Sequence, residues 1–105
     1  MAAISNDVKI IIQQFIKLVS QNGINIEKAI LFGSYAKGTA TSWSDIDLAL
    51  VSNDFAGSSF YDRKKLNPFL IKIDSRLELH PFRSEDFNDE NPLIKEIISQ
   101  GIEIK

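Results

Sequence analysis

The sequence predicts an α/β (α+β) domain, a small mixed β-sheet flanked by helices, and three observations carry that prediction. Apolar residues at three-and-four spacing after Ser5 mark an amphipathic first helix. Three short runs, "KAILF", "DIDLALV" and "RLELH", are continuously apolar or alternate with period two, as strands do. A second three-and-four pattern, Leu93, Ile94, Ile97 and Ile98, returns near the C terminus. Helical and strand patterns interleaved over 105 residues predict one domain, residues 1–105, with helices layered on a sheet.

Each element has its own signals. Ser5 is a capping residue ahead of Val8, Ile11, Ile12, Phe15, Leu18 and Val19, and Asn22-Gly23 supplies the stop. Lys28 to Phe32 is too short for a helix and is cut off by Gly33, so it is read as a buried strand. From Asp45 to Val51 the chain alternates, with Ile46, Leu48 and Leu50 on one face and Asp45, Asp47, Ala49 and Val51 on the other. Ser52 to Ser59 is turn-rich. A helix with the charged face Asp62, Arg63, Lys64 and Lys65 follows, and Pro68 is expected to break it or restart it with Asn67 as a new cap. Arg76 to His80 forms the third strand, with Leu77 and Leu79 opposite Glu78 and His80, and Pro81 is expected to end it. The last helix runs near Asn91 to Gln100, stops at Gly101, and leaves "IEI" as a short terminal strand.

Composition narrows the function classes. With 44% apolar and 25% charged residues the chain sits at the average for a globular domain. No apolar run approaches the roughly 20 residues of a membrane span, and Met1 to Ser5 carries no basic stretch before an apolar one, which predicts a cytoplasmic protein with no membrane contact. The chain has no cysteine and a single histidine, His80, so thiolate and multi-histidine metal sites are excluded and any bound metal is expected on oxygen ligands. A net charge of −2, with Arg63, Lys64 and Lys65 as the one basic cluster, argues against binding long nucleic acid.

The chemistry concentrates in "LFGSYAKGTATSWSDIDLAL". Carboxylates are poor strand formers, and two on one face repel unless a cation sits with them. Asp45 and Asp47 break the strand pattern in this way, and Glu78 joins them if the second and third strands are neighbours. Three such carboxylates suit magnesium, which takes hard oxygen ligands, and metals bridged by acids serve in-line displacement at phosphorus. Asp74 is the competing third acid. Upstream, Gly33-Ser34 ends a strand and opens a turn whose backbone N–H groups and hydroxyl can hold phosphate oxygens. Lys37 lies one turn on and can add charge to a polyphosphate. His80 shares the Glu78 side of its strand and could contact a metal ligand or phosphate there, though a lone histidine is more often a half-buried polar residue. Tyr35 and Trp43 are expected to pack over the loop rather than stack on a base.

These residues resemble a known family. "GSYAKGTATSWSDID" is similar to the Gly-Ser, ten residues, Asp-x-Asp signature of the DNA polymerase beta-like nucleotidyltransferase superfamily. Four fixed positions at fixed spacing would match a chain of this length by chance about once in a thousand sequences. The small size, the "GSYAKG" variant and "RLELHPFRSEDF" resemble the minimal nucleotidyltransferases, the MntA-like antitoxins of HEPN/MNT toxin-antitoxin pairs.

The resemblance implies a minimal nucleotidyltransferase fold and an enzyme that takes ATP and magnesium, two ions, and transfers AMP to a tyrosine of a HEPN-domain ribonuclease toxin. Gly33, Ser34 and Lys37 would then bind the nucleotide, while Asp45, Asp47 and Glu78 would ligate metal and carry catalysis. Larger relatives carry a further domain, so a HEPN partner or a second copy of this chain is expected to complete the site. Two other readings remain: a catalytically weak nucleotide-binding or partner-neutralising subunit, and transfer to a small-molecule acceptor.

Overall fold

The computed structural model describes residues 5–105; residues 1–4, on which the absence of a leader was read, lie outside them. Its elements run α1 (Asn6–Gln21), β1 (Lys28–Phe32), α2 (Ser34–Lys37), β2 (Ile46–Val51), α3 (Ser59–Ile73), β3 (Leu77–Phe82), a 3-10 turn (Ser84–Asp86), α4 (Pro92–Gln100) and β4 (Ile102–Glu103). The strands form one mixed sheet in the order β3-β2-β1-β4. Strand β1 is antiparallel to β2 and to β4, and β2 is parallel to β3. The expected mixed α/β class is therefore borne out.

Local chemistry accounts for the ends of the helices. Ser5 Oγ accepts the Val8 N–H at 3.3 Å and starts α1, as its position predicted. Asn91 Oδ1 accepts the Leu93 N–H at 2.9 Å at the head of α4, whose first helical residue is Pro92. Helices α1 and α3 cover one face of the sheet, where Ile12, Phe15, Leu31, Ile46, Leu48, Leu50, Leu66 and Leu79 are buried together. On the other face a smaller cluster of Ile30, Ala49 and Ile97, joined by Phe32, Phe82 and Phe87, seats α4. Helix α4 covers only part of that face, and Asp47, Glu78 and His80 keep partial exposure on it.

Three expectations are corrected. Pro68 neither breaks nor restarts the helix, and Asn67 caps nothing: α3 runs through both. Proline removes the bond to the carbonyl four residues back, here Lys64, and both residues are exposed, on the side of α3 where solvent can take the place of the lost donor. Strand β3 continues through Pro81 to Phe82. The Arg76 and Phe82 carbonyls accept the Ile46 and Ser52 N–H groups, so even-numbered residues of β3 turn their backbone to β2. Pro81 faces the outer edge of the sheet, where no ladder donor is required. Finally, Asp62 is not part of a solvated face. It is 2% exposed, and its carboxylate accepts the Ala56 and Gly57 N–H groups at 2.8 and 3.0 Å, pinning the β2–α3 loop to the first turn of α3.

Asp62→Ala is therefore expected to lower the unfolding free energy by about 2–3 kcal/mol in a urea titration, since two donors lose a charged acceptor. A change within about 0.5 kcal/mol, the usual size for a surface position, would contradict this role.

Candidate active site

The site forms where β1 ends and β2 and β3 begin. In the β2–β3 register Asp47 stands opposite Glu78 and Ala49 opposite His80, so period-two alternation puts all four on one face. One ligand atom from each of Asp47, Glu78 and His80 lies within 4.8 Å of the others. His80 Nε2 is 3.3 Å from Asp47 Oδ1, and the imidazole packs edge-on to Phe32 with ring centroids 4.8 Å apart.

The turn after β1 reaches the same point from the other side. Phe32 pairs with Asp47, and Gly33 follows with φ of 72°. A side chain at Gly33 would strike the Asp47 carboxylate, so two constraints, the positive φ and the close approach, both select glycine. Helix α2 then starts at Ser34, and its first-turn N–H groups have no acceptor within the helix. Gly33 and Lys37 also line a pocket of about 150 Å3 with Phe32, Ala36, Glu96 and Gln100. Lys37 Nζ lies 3.7 Å from Glu96 Oε1 across it, and both side chains are half exposed, which makes the pair weak. The larger depressions lie elsewhere; one of about 530 Å3 surrounds Arg83, Asp86 and Asn91 at the far end of the sheet.

Of the residues singled out from the sequence, Gly33, Asp47 and Glu78 come together, with Ser34 on the adjoining turn. Asp45 was placed inside the second strand, but β2 begins at Ile46. The first ladder bond is Ile46 N–H to the Arg76 carbonyl, and β1 has already turned away at Gly33, so nothing pairs with Asp45. It is exposed, two residues before Asp47 and outside the 4.8 Å group.

Asp74, the competing acid, is engaged elsewhere. Arg76 Nη2 and Nε donate to its oxygens at 2.9 and 3.1 Å, and the Arg76 N–H adds a third bond at 2.8 Å. These hydrogen bonds from Arg76 hold the Asp74 carboxyl below its ordinary value, with burial acting against them. Arg83 is likewise taken, pairing with Glu85 at 3.1 Å and Asp86 at 2.9 Å. Tyr35 packs against the core rather than over the loop, and Trp43 is 92% exposed. The sequence only hints at the His80–Asp47 contact. Its signal was the alternation that puts His80 on the Glu78 face, but the diagonal reach to Asp47 needs the parallel register.

The donor set suits a divalent cation. Two facing carboxylates supply hard oxygen ligands, and the missing Cβ at Gly33 leaves open the space directly over Asp47.

A family model described as "Nucleotidyltransferase domain" matches residues 12–102. The chain belongs to this nucleotidyltransferase family. It is 29% identical over 96 residues to the Methanocaldococcus jannaschii protein named "Putative protein adenylyltransferase MJ1305", across 85% of this chain and 65% of that relative. The chain thus spans about two thirds of the length of the curated relative it matches. Among solved structures it resembles a toxin-antitoxin crystallised with AMP-PNP, at 25% identity and a TM-score of 0.62, over 96% of this chain and 73% of that one. A mutant of the MntA-HpeT toxin-antitoxin matches over the same shares at 24% identity and a TM-score of 0.60. A Sulfolobus solfataricus protein, 18% identical, shares the fold at a TM-score of 0.65 over 91% of this chain and 78% of its own. The family resemblance stated on the Gly-Ser and Asp-x-Asp residues is borne out.

Two outcomes test this geometry. Gly33→Ala should cost about 1–3 kcal/mol of stability through backbone strain. The loss should exceed that of Gly23→Ala, because Gly23 has φ of 88° and open space around it. Equal losses would show that the approach to Asp47 carries no weight. Separately, the Asp74–Arg76 contribution follows the depressed carboxyl: it is complete above the ordinary value of 3.8 and disappears as the pH falls through the lower folded value. Arg76→Met should therefore destabilise at neutral pH, and the difference from the unmodified protein should close in acid, as read by denaturant titrations across pH.

Proposed function

We propose that this protein is a metal-dependent nucleotidyltransferase that moves AMP from ATP to a tyrosine hydroxyl of a HEPN-domain toxin, so acting as an antitoxin. The observation that supports it most is the pairing of Asp47 with Glu78 directly beside the Gly33-Ser34 turn. The Methanocaldococcus jannaschii relative, named a protein adenylyltransferase, and the AMP-PNP in the toxin-antitoxin crystal support adenylyl transfer and a toxin partner.

The residues divide the work. The turn N–H groups and the Ser34 hydroxyl bind the β- and γ-phosphates, and Lys37 adds charge once its weak pair with Glu96 opens. Asp47 and Glu78 would hold a divalent ion, and Asp45, exposed two residues before Asp47, would add its carboxylate to the same set. Bound there, such ions neutralise the triphosphate and lower the pKa of the attacking hydroxyl. Glu78, opposite Asp47 in the sheet, would help to orient and deprotonate that hydroxyl. The tyrosine oxygen bonds to the α-phosphorus, the α–β phosphoanhydride bond breaks, pyrophosphate leaves, and the tyrosine proton goes to solvent.

Incubation with ATP labelled at the α-phosphate, a divalent cation and the toxin encoded beside this protein should label the toxin. Replacing Asp45 and Asp47 together by Asn should reduce labelling by at least about a hundredfold with unchanged circular dichroism. No labelling by the unmodified protein, with the toxin still bound, would overturn transfer and favour a partner-neutralising subunit.

A further inference from the structure

We propose that His80 is a metal ligand in this site, donating through Nε2, and that this nitrogen makes the site prefer Mn2+ over Mg2+. The proposal deepens the metal-dependent reading above and rests on it, and no feature of the Gly-Ser or Asp-x-Asp signature called for it.

The sheet delivers the imidazole to the carboxylates. Glu78 and His80 leave β3 on one face, and their partners on β2 are Asp47 and Ala49. Ala49, fully buried, has only a methyl group, which leaves His80 room to extend diagonally across it to Asp47. Phe32, from β1, meets the ring edge-on at an interplanar angle of 65° and limits its rotation. Three elements of the sheet thus hold one ring nitrogen against the Asp47 carboxylate.

The spacing fits shared ligation. Ligands about 2.2 Å from one octahedral ion stand roughly 3 Å apart when adjacent and about 4.4 Å apart when opposite. The Nε2–Oδ1 distance of 3.3 Å matches an adjacent pair, and the 4.8 Å limit on the group requires only a small adjustment of Glu78. As a hydrogen bond, 3.3 Å would be longer than the usual N–H···O range. Asp47 and His80 are each 26% exposed, so an ion held between them keeps positions open for water and phosphate oxygen. An imidazole shifts such a site away from magnesium, which is held through oxygen, toward first-row transition ions; manganese, the one of these that also suits carboxylate and water ligands in an octahedral site, fits a set of two carboxylates, one imidazole and phosphate oxygen. Such a ligand would add one nitrogen to the oxygen set expected from the sequence.

The chain has one histidine, so tag-free protein loaded with Mn2+ alone gives an unambiguous spectroscopic test. Electron spin echo envelope modulation of that sample should show directly coordinated imidazole nitrogen. The signal should be absent from His80→Gln and His80→Phe, and the ratio of Mn2+ to Mg2+ affinity should fall by about tenfold or more in both variants. Bound Mn2+ with no imidazole nitrogen in the unmodified protein would overturn the proposal and leave metal-dependent transfer standing. Failure to bind Mn2+ at all would overturn the proposal as well, while metal-dependent transfer is decided separately by the labelling of the toxin with Mg2+ and ATP. The spectrum of the unmodified protein decides the matter even if a variant fails to fold.

Discussion

The parallel pairing of β2 with β3 is the constraint on which the site depends. Antiparallel neighbours can be joined by a tight turn, but parallel ones need a crossover, and α3 with its flanking loops supplies it. The crossover has to return the chain in one register, because a slip of a single residue would turn Glu78 and His80 into the α1–α3 core and expose Leu77 and Leu79. Burial of those leucines therefore holds the two carboxylates side by side. The buried Asp62 ties the loop entering the crossover to its helix, and the Arg76–Asp74 pair ties the loop leaving it, one residue before β3. Two polar anchors at the ends of α3 support a register whose driving force is apolar.

The second support is the close approach at Gly33. Antiparallel pairing brings the end of β1 beside Asp47, and any side chain beyond hydrogen on the next residue would collide with that carboxylate. The geometry that frees the N–H groups of α2 is thus the same geometry that keeps Asp47 uncovered. The Gly33-Ser34 turn and an acidic strand are joined by a single backbone position.

Much of the fold is legible from pattern alone, since α1, β1, α4 and β4 carry both their periodicity and their end signals within a few residues. The misread positions share a cause. Pro68, Pro81 and Asp62 each break a local rule, and in each case a long-range fact cancels the expected penalty: solvent at Lys64, the outer edge of the sheet, and two loop amides waiting for an acceptor. Trp43 differs, because its exposure reflects the absence of any wall on that side of the loop among the described residues.

The sequence by itself determined the class of the domain, the Gly33-Ser34 turn, the acids Asp45 and Asp47 and the face on which Glu78 lies, because these depend on spacing along one chain segment. Tertiary structure alone decided which third acid stands beside Asp47, that Asp45 lies outside the strand, and that the one histidine reaches the carboxylates. Those outcomes depend on strand order and register, which arise from burying two sheet faces at once. No local spacing records how far apart residues 47, 74, 78 and 80 come to rest.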